Sequence, residues 1–215
     1  MRQEIALPTR DVSQAGASTT LGLSCLLALV TAAGFLWTAR DTPLPAIEWA
    51  AAFLFVAVAY DVYALRIPNW LTFGALGAAL VFAGVMGLSA FWEALGGAGL
   101  ALAVLFLPFH VRWLGAGDVK AMMALGALWG SSHILGVLFW VVVSGGVLGL
   151  SWIALRGELP NLVSRWVDSL RVTFLSRQAT YFPPAPGSVA SGGLPFALAI
   201  GIGACCYQLW GSAWM

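Results

Sequence analysis

The sequence predicts an all-α fold, a polytopic transmembrane bundle of about seven membrane segments. Three observations carry this. Hydrophobic residues make up 60% of the 215 positions and charged residues only 9%, with a mean hydropathy of +0.89, a balance outside the range of soluble domains. Apolar runs long enough to cross a hydrocarbon core of about 30 Å recur along the whole chain. None of them alternates polar with apolar as a barrel strand would, and lipid gives a strand no partner for its backbone, so the runs are read as helices.

The runs lie near 19–38, 46–62, 70–89, 92–111, 134–155 and 189–211, and a seventh, 118–130, is short. The first follows about twenty residues that include Glu4 and Asp11, too long and too acidic a stretch for an ordinary signal-peptide leader, so it reads as a retained helix. Residues 1–45 form a tail and a first helix, and 46–215 a second unit that carries one polar segment, 156–188. In that segment Leu162, Trp166, Leu170 and Phe174 recur about one turn apart, with Arg165, Asp168 and Arg171 elsewhere around the helix, the pattern of a helix lying in a membrane interface. The Pro-, Gly- and Ser-rich YFPPAPGSVASGG stretch after it reads as a loop.

Orientation follows from the basic residues. With the N-terminus inside and all seven runs crossing, Arg2, Arg10, Arg66, Arg112, Lys120, Arg156, Arg165, Arg171 and Arg177 lie on the cytoplasmic side and Arg40 alone outside. A net charge of +1 with no basic patch gives no sign of a nucleic-acid partner. Cys25, Cys205 and Cys206 sit in apolar runs without a C-x-x-C pair, which supports neither a metal site nor a disulfide framework. No cofactor is expected. The many tryptophans read as interfacial belt and packing.

Two carboxylates stand out, because an acid in or beside lipid costs roughly 2.5 kcal/mol or more and is a functional hypothesis by default. Asp61 ends the second run in AYDVYALRIPNW, and Asp118 opens the short one in LGAGDVKAMMALG. The two intervening runs go out and return, so both acids face the same side. Pro68 lacks an N–H and disfavours helix at Ile67, which places the end of the second span just after Asp61. Asn69 is positioned to cap the next span, and Arg66 to pair with a lipid phosphate or a substrate carboxylate. Gly115 and Gly117 would let an extended peptide backbone approach Asp118. Lys120 is expected to snorkel to headgroups, and the short helix behind Asp118 to leave a thin, hydrated place where water reaches the acids. His110, eight positions before Asp118, is a weaker candidate for tuning the pair, while His133 falls at the opposite face. Gly74, Gly77, Gly145, Gly149, Gly192 and Gly193 offer close helix approach.

Asp61-x4-Arg66-Ile67-Pro68-Asn69, followed by Gly115-Ala116-Gly117-Asp118-Val119-Lys120 and then Ala124-Leu125-Gly126, resembles the type IV prepilin peptidases, membrane aspartic proteases of the GxGD class. The likeness runs over roughly residues 50–205. It is partial at Leu194-Pro195-Phe196-Ala197, where the family has a Pro-Tyr-Gly helix start, and the helix before residue 40 looks like an addition to a six-span core. Large members carry a loop with two C-x-x-C pairs and also N-methylate the cleaved pilin. This chain lacks that loop and is similar instead to short peptidase-only forms that process Flp-type pilins of tight-adherence pili, so methyltransferase activity is not expected. The resemblance implies a bacterial inner-membrane endopeptidase that cuts a short basic leader from a prepilin at the cytoplasmic face, after a glycine and before a hydrophobic helix. Asp61 and Asp118 would be the catalytic acids, with lipid and the pilus assembly machinery as neighbours. The competing reading from another class is a proton-coupled transporter that uses the two acids as a relay, although such proteins usually carry midplane acids and matched halves. A silent assembly scaffold is the third.

Overall fold

The computed structural model describes residues 11–38, 46–111, 113–177, 182 and 195–211, with side chains of the first helix from Thr20 onward. Arg2, Arg10, Arg40, Arg112, Gly192, Gly193, Leu194 and most of the Pro/Gly/Ser-rich stretch lie outside these residues. The described residues form eight helices and no strands: α1 Asp11–Thr38, α2 Ile47–Ala64, α3 Asn69–Met86, α4 Leu88–His110, α5 Ala116–Trp129, α6 Ser131–Leu155, α7 Leu159–Ser176 and α8 Phe196–Trp210. The protein is a polytopic helical bundle. Five helices are long and apolar enough to cross a membrane, namely Thr20–Thr38 of α1 together with α2, α3, α4 and α6.

Many of the bundle's buried positions are small residues, set around large ones such as Leu54, Leu125 and Trp129. Ala50, Ala57, Ala98, Ala121, Ala199 and Ala204 are buried, while Leu29, Val81, Val85, Leu107, Phe139 and Val147 point outward. Lipid tails are as apolar as leucine, so helices gain little by hiding leucine from them and gain most from close backbone approach. Two such approaches fix the frame. A Cβ on Gly97 of α4 would overlap the carbonyl oxygen of Gly126 on α5, and one on Gly203 of α8 would fall 2.5 Å from the Val141 Cα on α6.

The short run forms α5, at about 21 Å too short to span alone. It is the centre of the bundle, with Ala121, Met122, Ala124, Leu125 and Trp129 buried and α3, α4 and α6 packed around it. Gly97 lies against Gly126 and Glu93 against Ser131, so α4 and α5 run antiparallel. The same reasoning applied to Gly136 with Tyr207 and Gly145 with Phe196 makes α6 and α8 antiparallel. Of the glycines expected to mediate close approach, Gly145 does so. A Cβ on Gly74, Gly77 or Gly149 would meet nothing within 4 Å among the described residues, because the tight crossings fall on other faces.

α1 packs along α2 and α8. Its Thr31 methyl fills the notch left by Gly201, where a Cβ would overlap it, and the Thr38 hydroxyl donates to Gln208 Oε1. Phe35 stacks on Trp129 with ring centres 6.0 Å apart. Among the described helices α7 contacts chiefly α6, and Trp166, Leu170 and Phe174 are exposed.

Candidate active site

The C-terminal end of α2, the N-terminal ends of α3, α5 and α8 and the two short links between them meet at one end of the bundle. α2 runs one turn past Asp61 to Ala64, further than the proline alone suggests. It closes when the Leu65 N–H donates to the Asp61 carbonyl at 2.8 Å, with Leu65 in the left-handed region at φ 49°. Pro68, at φ −68°, then opens α3. This geometry turns Asp61 inward, and its residue is only 5% exposed.

A buried carboxylate needs donors, and α8 supplies one. The Ala197 N–H donates to Asp61 Oδ2 at 2.8 Å. That amide belongs to the first turn of a helix started by Pro195, where backbone N–H groups have no intrahelical acceptor and the helix dipole favours negative charge. Sequence reading missed Ala197. The signal was present in Pro195, which marks a helix start and therefore free amides, but which acid they would meet depends on how α8 packs.

Asp118 is the third residue of α5, and its Oδ2 accepts the Gly115 N–H at 3.1 Å, the reach-back half of a capping box. It is partly buried and lies within electrostatic reach of Asp61. Both acids line one cleft of about 1040 Å³, together with Arg66, Pro68, Asn69, Gly115 and Gly117. Tyr60, Trp113, Leu114 and Phe196 complete its walls. Tyr60, Trp113 and Leu114 carried no sequence signal distinguishing them from lipid-facing aromatics and aliphatics.

Two expectations are corrected here. Lys120 does not reach for headgroups: its Nζ donates to Asn69 Oδ1 at 3.0 Å and sits 4.7 Å above the Phe73 ring. Two positions beyond Asp118, it is turned about 200° around α5 and so faces α3 rather than the cleft. Asn69 accordingly does not cap α3, whose cap is Pro68 with no side-chain bond, because its amide oxygen is held by Lys120. Gly117 is close to a backbone, but that backbone is the chain's own. A Cβ there would meet Ile67 at 3.4 Å and its carbonyl oxygen at 3.5 Å. Gly115 is the tighter of the two, with a Cβ falling 3.1 Å from Asp118 Oδ2.

Arg66 is exposed at the rim of the cleft. His110 is exposed and stacked on Phe106 with ring centres 6.0 Å apart, outside the cleft walls. His133 is at the far end, where its Nδ1 is 2.9 Å from the Tyr207 hydroxyl. Nearby, Glu93 Oε2 accepts the Ser131 N–H at 3.2 Å and the Ser131 hydroxyl at 2.5 Å, which ties α4 to the α5–α6 junction.

Fold and site together define a multi-pass helical membrane protein that brings two carboxylates into one cleft at one end of its bundle. Residues 49–150 match the type IV leader peptidase family. That stretch, 102 of the 215 residues, contains Asp61, Asp118 and the links that carry them. Comparison with curated proteins and with solved structures found no match.

Proposed function

We propose that this protein is an aspartic endopeptidase that uses Asp61 and Asp118 to cut the short basic leader from Flp-type prepilins at the cytoplasmic face of the inner membrane. The observation that carries the reading is the shared cleft: two elements far apart in sequence each bring one carboxylate to the same wall-lined space. Two acids in such proximity share a proton, and the pair rather than either residue owns the titration. The ionised member takes a proton from a water molecule as that water attacks the scissile carbonyl. The protonated member donates to the carbonyl oxygen to form a tetrahedral diol; as the diol collapses that acid takes a proton back from a hydroxyl, and the acid that took the water's proton gives it to the departing amine. The Ala197 amide would keep the Asp61 carboxylate oriented through these exchanges, and Arg66 at the rim would receive acidic groups of the substrate. Gly115 and Gly117 support the turn that carries Asp118, and Lys120, Asn69 and Pro68 fasten α5 to α3 behind it. With no C-x-x-C loop in the sequence, the reading includes no methyl transfer. A proton relay would need acids spaced across the bundle, whereas both of these lie at one end.

Co-expression with a Flp-type prepilin tests it. The wild-type chain is expected to convert the prepilin to the shorter, faster-migrating form. Asp61→Asn and Asp118→Asn should each leave less than about a tenth of the cleavage at unchanged membrane levels, and the double variant should be no worse, since one carboxylate cannot serve as both acid and base. Residual cleavage above that level in either single variant overturns the dyad.

A further inference from the structure

α2 and α3 are consecutive helices that scarcely touch. Between them runs an apolar trough of about 450 Å³, and past it a second hollow of about 430 Å³ between α3 and α4, where Glu93, Ser132 and His133 join the walls. The two share Ala46, Ala79, Phe82 and Leu128, so they are one groove that follows α3 from Trp70 to Met86. Its upper end adjoins the cleft of the two acids. Tyr60, a cleft wall, meets Trp70, a groove wall, edge to face at 6.2 Å.

The walls are graded in a way lipid does not require. Between Trp70 and Leu71 at one end and Phe82 at the other, the groove face of α3 carries Gly74, Ala75, Ala78 and Ala79, whereas Phe73, Val81 and Val85 on its other faces are large and exposed. Trp49, Ala52, Phe53 and Val56 of α2 face the groove at helical spacing, and Leu128 of α5 forms its floor. Small residues along one face let a second helix backbone come close, which is where association in lipid gains its free energy, while an acyl chain gains nothing from them over leucine. The other flank of α2 is closed by α1, and the seams between α4 and α5 and between α6 and α8 are closed by Gly97 with Gly126 and by Gly203 with Val141.

We infer that this groove holds the apolar helix of the substrate, running parallel to α3 with the scissile bond above it in the cleft. The inference rests on the peptidase reading and adds the substrate's membrane half to it. Any peptide that passes from the cleft down this trough enters lipid depth, where its backbone must be helical. α3, 18 residues long, runs the length of the wall for about 27 Å, close to a full hydrocarbon core. The cleft therefore recognises an extended segment of a few residues, and the groove an apolar helix fused to its C-terminal side. A soluble peptide lacking that helix would lose the larger share of the contact.

Disulfide crosslinking in membranes tests this without depending on turnover. In an Asp118→Asn background with Cys25, Cys205 and Cys206 replaced by alanine, Gly74→Cys and Phe82→Cys are each paired with a prepilin carrying single cysteines along its apolar helix. Both are expected to crosslink, with their preferred prepilin positions about eight residues apart in the same direction, the register of two parallel helices. Val142→Cys, on the lipid face of α6, is expected to crosslink at least about tenfold less, as random collision would. No crosslink at Gly74→Cys or Phe82→Cys, as for a groove filled by lipid, or equal crosslinking at Val142→Cys, overturns the inference. So does a reversed register. Cleavage by the wild-type chain is read separately: cleavage without groove crosslinks removes the groove alone, and groove crosslinks without cleavage remove the peptidase reading alone.

Discussion

At the scale of single residues, the glycines around Asp118 work on the chain itself. Gly117 gives Ile67 room to fold over the start of α5, and Gly115 gives the Asp118 carboxylate room to reach back to its own amide. A methyl on Gly117 would be in ordinary contact with Ile67, at 3.4–3.6 Å, but the two further carbons of valine would push the 66–68 link outward. Shifts of about 1 Å at reacting groups can cost on the order of a hundredfold in rate. Gly117→Ala is therefore expected to keep most of the cleavage rate and Gly117→Val to lose on the order of a hundredfold, measured as initial prepilin cleavage per unit of inserted protein. Wild-type rates in Gly117→Val would mean that the Ile67 link yields freely. The two acids and their Gly/Pro punctuation were legible because a carboxylate near lipid is costly and a proline leaves no choice of backbone. The Lys120 to Asn69 bond was not, since it depends on which faces of α3 and α5 meet.

Elements show a division between helices that define the frame and those that line the cleft. α5 is short and enclosed: α3, α4 and α6 pack around it, and the link to α6 is the single residue Gly130 at φ 79°. Its packing on α4 has no slack at Gly97. Gly97→Ala is expected to lower stability by at least about 2 kcal/mol, as overpacked cores do, seen as a drop in apparent Tm in detergent. Gly99→Ala, on the same helix with no described atom within 4 Å, is expected to cause no loss, since alanine is the better helix former by about 1 kcal/mol. Similar melting of the two variants would show that α4 and α5 can part without consequence. The existence and order of these helices could be read from apolar runs and their Gly, Pro and Asn breaks. The tight glycines could not, because Gly97 and Gly99 have near-identical local sequence and differ only in what stands opposite.

Across the whole molecule, basic residues are sorted by end. Arg66, Lys120 and Arg156 lie at the end that holds the cleft, and Arg165, Arg171 and Arg177 follow on α7 from that same end of α6, while Glu48 and Glu93 lie at the start of α2 and α4, at the other. Basic segments are retained in the cytoplasm, so Ser164→Cys on α7 is expected to react with a membrane-impermeant maleimide only from the cytoplasmic side and Ser89→Cys, at the start of α4, only from outside, with the native cysteines replaced. Labelling of both from one side would contradict the positive-inside arrangement and move the proposed cleavage to the other face. The apolar stripe of α7, with Trp166, Leu170 and Phe174 uncovered at the cleft end, fits a helix resting on that membrane surface.

Composition and periodicity alone determined that this chain is a multi-pass helical bundle, because lipid permits so few ways to satisfy a backbone. Local chemistry alone marked Asp61 and Asp118 and put them at one end. What only the tertiary structure decided is everything that depends on two elements meeting. The first turn of α8 donates to Asp61, Lys120 turns to Asn69, Ile67 occupies the space over Gly117, and α2 and α3 part to leave a groove beneath the cleft. Hydropathy fixes how deep a residue lies in the membrane but not its angle around the bundle, and each of those contacts is set by the angle.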